Sequence, residues 1–217
     1  MYVSMTLEVR MQIVPKRKRA SAYHHGDLRR ALMDAALRVL AKEGVAGVKV
    51  AALAKRLGVT AAAPFRHFAS REALLVAVAE EGVGRMVARM DAASVDAADP
   101  LDRERRRAVA YVRFAVEEAG YFRAIVAPES LAGSPLLQSI SASNAQAIEA
   151  VLGRAHPGVR SKELAARSAG MLAGQALTFG LARMLTEGLL GTVDGAAAEA
   201  LAWEVTGVLG TGVGAAS

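Results

Sequence analysis

The chain has no cysteine among its 217 residues, and only 5% of them are aromatic. Without a thiol there can be no disulfide framework, no cysteine nucleophile and no cysteine-ligated zinc or iron–sulfur centre. Histidine is scarce too: His24, His25, His67 and His156 are the four, and none of their spacings puts two rings one helical turn apart for a metal. His24 and His25 read as arm residues near phosphate or water. Long apolar runs are also missing. The most apolar stretch, Ser168 to Ala182, has 15 residues between Arg167 and Arg183, short of the roughly 20 that a bilayer span needs, and reads as a core helix. The first residues carry no apolar run followed by a small-residue cleavage site, so no signal peptide is expected and the expected location is the cytoplasm. Met1, Met5 and Met11 are all candidate starts, so residues 1–15 read as a mobile arm or an extension. No nucleophile motif, paired-carboxylate pattern or phosphate-cradling glycine loop is present. An enzyme is not expected, and no metal or cofactor is called for.

Apolar residues make up 53% of the chain, enough for a substantial core, and the net charge is +6. Position matters more than the total. Residues 1–30 carry +5, residues 31–90 carry +4 and the remainder carries −3. A basic first 90 residues is the electrostatic footprint of a module that meets a polyanion.

No strand-like alternation stands out, and the fold class expected is all-α. The pattern predicts a helix from an Asp27 N-cap to Gly44, with Leu28, Leu32, Ala35, Ala36, Val39 and Leu40 on one face. A short helix from Val50 to Leu57 stops at Gly58. Thr60 is then predicted to cap a second short helix ending near Phe68, and Ser70 to cap a long one running through Met90. Asp96 to Pro100 reads as a connector. Beyond it, helices are predicted at 101–119, 121–127, 135–154, 161–189 and 195–209, with Pro128, Gly133, Pro135, Pro157, Gly158 and Gly191 as breakers between them.

Two helices as short as those at 50–57 and 60–68 cannot stand alone, so their crossing must be fixed by the turn and by a third helix beneath. Ala54 is small where axes approach, Gly58 makes the turn, Val59 fills the angle, and Leu53 and Leu57 face the support. This is a helix-turn-helix pattern, whose second helix enters a DNA major groove. Lys49, Arg66, His67, Arg71 and the arm residues Lys16, Arg17, Lys18 and Arg19 ring it with donors suited to phosphates. Ala61, Ala62 and Ala63 offer only methyl groups to base edges, so Arg66, Thr60 and His67 must supply most polar base contacts.

Asp27 to about Met90, with Gly58-Val-Thr, Phe65-Arg-His-Phe68 and Ser70-Arg-Glu-Ala-Leu-Leu75, resembles the DNA-binding domain of the TetR (tetracycline repressor) family of bacterial transcriptional regulators. Tyr23-His-His-Gly-Asp-Leu-Arg29 and Ala62-Ala-Pro-Phe-Arg-His-Phe68 are similar to one branch, whose C-terminal domain carries Trp-x-x-x-His-Gly; here Gln175-Ala-Leu-Thr-Phe-Gly180 keeps only the final glycine. The resemblance implies a homodimeric, effector-responsive regulator, usually a repressor. It assigns Thr60, Ala61, Ala62, Ala63, Phe65, Arg66 and His67 to the recognition helix and its end, and Arg71 to a phosphate-binding position. Phe65 stands where a tyrosine is usual, and Lys49 where a serine or threonine is.

The expected organisation is a basic arm at 1–22, a helix-turn-helix domain at 23–70 and a helical effector-binding and dimerisation domain at 71–217, with residues 70–93 as the linking helix. The small residues of the helices near 161–189 and 195–209 permit close approach and suit a homodimer contact. Met86, Met90, Phe114, Tyr121, Met171, Phe179 and Met184 are the candidates to line a pocket for an apolar or mixed small-molecule effector. Arg103-Glu-Arg-Arg-Arg107 reads as a solvated helix face. The expected partners are a double-stranded DNA operator, that effector and a second copy of the chain, with no membrane. The competing readings are a ligand-independent DNA-binding or architectural protein and an all-α enzyme.

Overall fold

The computed structural model describes residues 28–151 and 161–213, so the arm residues Lys16 to Arg19, the Asp27 cap, His24, His25 and His156 lie outside the described residues. The chain is built of helices: α1 Leu28–Glu43, α2 Val50–Arg56, α3 Arg71–Ala93, α4 Pro100–Glu117, α5 Ala119–Ile125, α6 Pro128–Gly133, α7 Pro135–Val151, α8 Ser161–Thr186 and α9 Gly195–Val213, with 3-10 turns at Val45–Gly47 and Ala63–Arg66. Among the described residues there is no strand, only an isolated bridge between Leu189 and Gly191.

α1 buries the stripe its spacing announces: Leu28, Ala31, Leu32, Ala35, Ala36, Val39 and Leu40 are all inside. It lies on α3, which buries Leu74, Leu75, Val78, Ala79 and Val83. Both α3 and α4 begin with side-chain caps. Ser70 accepts the Ala73 N–H at 3.2 Å, and Asp99 accepts from the N–H groups of Leu101 (2.8 Å) and Asp102 (2.9 Å) with Pro100 at the first helical position. α4 packs on α3, α8 and α9, and α7 lies along α8. The buried residues form one connected cluster from Leu28 in α1 to Ala202 in α9.

Three expectations need correction. The helix predicted at Thr60 to Phe68 is a turn followed by the 3-10 segment Ala63–Arg66, and Thr60 contributes its carbonyl to Ala63 N–H rather than a side-chain cap. Proline at 64 has no N–H to give the Thr60 carbonyl, so the segment closes with the tighter three-residue spacing, Ala63 to Thr60 and Phe65 to Ala62. The breakers Pro128 and Gly133 enclose a short helix, α6, because proline is tolerated at a first helical position. Finally, α8 stops at Thr186, three residues early, and α9 continues to Val213.

Candidate nucleic-acid interface

The head of the molecule is α1, α2, the 3-10 turn and the start of α3. Gly58 adopts φ 70°, a left-handed conformation that a side chain resists, and the chain there reverses from α2. Beneath the turn, Leu53 and Ala54 are buried and Val59 packs on the core, as their residue types led us to expect. Val48 is also buried, a support residue the sequence did not single out. Pro64 and Phe68 are buried and anchor the 3-10 segment from below.

The same segment presents its other side to solvent. Thr60, Ala61, Ala62, Phe65 and Arg66 are exposed, Phe65 at 54%, while Ala63 and His67 are half-buried. Lys49 is the residue before α2, exposed, and makes no side-chain cap. Among the described residues neither Lys49 nor Arg66 takes part in an ion pair, so both cations are available to an outside anion. Lys55 and Arg56 on the exposed side of α2 extend the basic surface, and Arg29 lies over the Phe68 ring at 5.1 Å. These three lie outside the expected set, and their signal is a basic doublet ending a short helix and a cation two residues after Asp27.

Arg71 behaves differently. Its Nε donates to Val48 O at 2.9 Å and its Nη2 to Val45 O at 2.7 Å, and Nη1 lies 3.3 Å from Glu129. The guanidinium thus holds the turn between α1 and α2 against the start of α3 and against α6. Expected to contact a phosphate, it has its side chain directed into the head.

The seven pocket candidates differ in exposure. Phe114 and Tyr121 are buried in the core, Met86 and Met90 are half-buried, and Met171, Phe179 and Met184 are 45%, 43% and 39% exposed on α8. Apolar side chains one turn apart in sequence pattern cannot by themselves distinguish a pocket wall from an uncovered face. An aromatic chain does run inward: Tyr111 meets Phe122 edge-on at 5.9 Å, and Phe122 lies 6.4 Å from Phe179. Burial pushes the Tyr111 phenol up to about 12. Elsewhere an open hollow of about 400 Å³ on α9 is lined by Ala196, Glu199, Ala200, Trp203 and Glu204. The arginine run at 103–107 is engaged: Arg105 lies over the Trp203 ring at 3.9 Å, Arg106 pairs with Asp102 at 2.9 Å, and Arg107 pairs with Asp91.

A second polar cluster joins head to body. Arg30 of α1 meets Glu81 of α3 at 2.7 Å and Asp34 at 2.7 Å, and the Tyr121 hydroxyl of α5 donates to the same Glu81. Burial opposes the charge on Glu81, but hydrogen bonds from Arg30 and Tyr121 and the nearby charge of Arg30 outweigh it and hold the carboxyl below its ordinary value. These same contacts raise Arg30 further, with Glu81 the largest influence.

Short paired helical segments crossed over a supporting helix, with a basic outer rim, define an all-helical protein with a helix-turn-helix head. Residues 32–78 match the family described as bacterial regulatory proteins, tetR family. By that match residues 32–78, the head of the chain, are a DNA-binding domain of the tetR family of bacterial regulatory proteins. It is 35% identical over 104 residues to the HTH-type transcriptional regulator BetI of Rhizobium meliloti (strain 1021), a match that covers 48% of this chain and about half, 47%, of that protein. A solved protein of unknown function from Rhodococcus sp. RHA1 is 30% identical, with 86% of this chain and 97% of that one covered and a TM-score of 0.55. The TetR family transcriptional regulator PfmR from Thermus thermophilus shares the fold at 20% identity, covering 82% and 96% of the two chains, with a TM-score of 0.56.

Proposed function

We propose that the protein is a DNA-binding transcriptional repressor that binds a near-palindromic operator as a homodimer and is released by a small-molecule effector. The observation that carries the reading is the two-sided 3-10 segment: Pro64 and Phe68 fixed below, with Phe65, Arg66 and the methyls and hydroxyl of residues 60–62 facing out beside Lys49. Arg66 is the group suited to a bidentate contact with a guanine edge, and the alanine methyls suit thymine. Lys49, Lys55 and Arg56 supply phosphate contacts that set orientation. The exposed Met171, Phe179 and Met184 of α8 and Trp203 of α9 support a second copy covering these helices. Two heads related by a two-fold axis would then address half-sites about 34–36 Å apart.

Release follows from a population shift. An effector held by the helical body acts only if it binds one head spacing better than the other. α3 carries Arg71 at the head and reaches Ala93 in the body, so it is the expected transmitting element. Footprinting on the promoter beside its own gene is expected to show a protected near-palindrome, and absence of protection would overturn the reading. Arg66→Ala is expected to cost about 1–3 kcal/mol on the operator and little on random DNA, while Lys49→Ala weakens both and lowers the salt slope by about one. Equal losses for Arg66→Ala on the two DNAs would exclude it as the reader of sequence.

A further inference from the structure

α1 and α8 do not pack broadly on one another, yet one side chain joins their ends. Arg123, half-buried on α5, donates through Nη1 to Leu40 O at 2.9 Å and to Ala41 O, both in the last turn of α1, and through Nη2 to Thr186 O at 2.7 Å, the final residue of α8. The last carbonyls of a helix carry the negative end of its dipole, and although Gly44 N–H reaches Leu40 O at 3.2 Å a second lone pair remains there, so a cation with several donors fits. α8 closes on itself through Leu189 N–H to Met184 O and Gly188 N–H to Leu185 O, contacts that leave Thr186 O for Arg123. A planar guanidinium reaches two helix ends at once; an ammonium, a single compact charge, does not.

The seat of this bridge is tight. At Gly120 a β-carbon would lie 2.7 Å from Leu37 O, so the start of α5 rests directly on the α1 backbone. The other end of α1 is held by the Arg30 contact to Glu81. α1 is therefore clamped at both ends, and among the described residues only the C-terminal clamp includes α8.

We propose that Arg123 is a positioning residue for the DNA-binding head: it ties the end of α1 to the end of α8, so that displacement of α8 reaches the head by a route separate from α3. The proposal rests on the reading of the protein as a DNA-binding dimer with α8 at its interface. Because the chain has no cysteine, Arg38→Cys, at an exposed position of α1 outside the proposed DNA contacts, gives one spin-label site per head in the full-length protein. Pulsed dipolar measurement of the head-to-head distance and amide hydrogen exchange are then compared for the labelled parent, Arg123→Gln and Arg123→Lys. Expected for Arg123→Gln are a broadened head-to-head distribution, faster exchange at both residues 41–44 and 187–190, and operator binding weakened roughly two- to thirtyfold. Arg123→Lys keeps the charge and is expected to broaden the distribution as well, and it carries the test if the glutamine variant fails to fold. An unchanged distribution, or faster exchange at only one helix end in Arg123→Gln, would overturn the proposal. Absence of any dipolar signal in the parent would overturn the dimer reading instead, and the exchange comparison would still decide whether the bridge couples the two ends.

Discussion

Arg71 and Lys49 are both cations at the edge of the head, and their surroundings give them different work. Lys49 is exposed and unpaired among the described residues, whereas Arg71 spans Val45 O, Val48 O and Glu129. Charged donors on backbone carbonyls contribute about 1.5–3 kcal/mol each, and partial exposure of the group to solvent reduces that. Arg71→Met is therefore expected to lower stability by about 1–3 kcal/mol in urea unfolding, while Lys49→Ala stays within about 0.5 kcal/mol. A stable Arg71→Met that has lost DNA affinity would support the phosphate contact expected of this residue. Arg71 was legible in the sequence as a cation at the start of a helix. Its direction was not, since that depends on the 3-10 turn at Val45–Gly47, a three-residue element with no periodicity to read. The same limit applies to Met171 and Phe179: their apolarity is written in the sequence, but whether an apolar residue faces a ligand, a core or a second copy depends on what lies opposite.

At the scale of the elements, caps and apolar stripes carried most of the legible information. Ser70, Gly58 and the α1 stripe stand where the pattern placed them, because each is a local rule satisfied by near neighbours in the chain. Pro64 and Pro128 were harder. The same lack of an N–H tightens a turn at one site and opens a helix at the other, and the choice is made by the anchoring of Pro64 and Phe68 in the core. Glycine gives a direct test of element packing. Gly120→Ala is expected to destabilise by about 1–3 kcal/mol, because its new methyl meets backbone at Leu37 that cannot move aside. Gly84→Ala, mid-helix in α3 with open space around it, is expected to stabilise by about 0.5–1 kcal/mol. Thermal unfolding of the two variants side by side measures the contrast, and equal shifts would mean that α5 does not rest on α1.

The whole molecule depends on pH through its seam. Glu81 has its folded value held below the ordinary 4.5, so its contribution is complete above 4.5 and disappears as the pH falls through the lower folded value. Glu117 is depressed too, by Arg113 first and then by Arg89. The difference in urea midpoint between the parent and Glu81→Gln is therefore expected to stay constant from pH 8 to about 5.5 and to close below pH 4.5. A difference that does not shrink at all as the pH falls below 4.5 would show that Glu81 acts through packing and not through its charge.

The charge division that separated a basic head from a mildly acidic body is real in composition, but no matching gap exists in the interior. The buried cluster passes unbroken from Leu32 and Leu40 in α1 through Leu75 and Val78 in α3 to Phe114 and Phe122 in the body. Recombination between relatives thus meets an obstacle that a diagram of two modules hides. A hybrid joined at the connector, residues 94–99, would bring a foreign α1 and α3 against the native α5, and Leu37, Gly120, Tyr121 and Arg123 would all face mismatched partners. Transplanting the specificity of this head requires carrying α5 along with it, or confining the exchange to the outward side chains at residues 60–66.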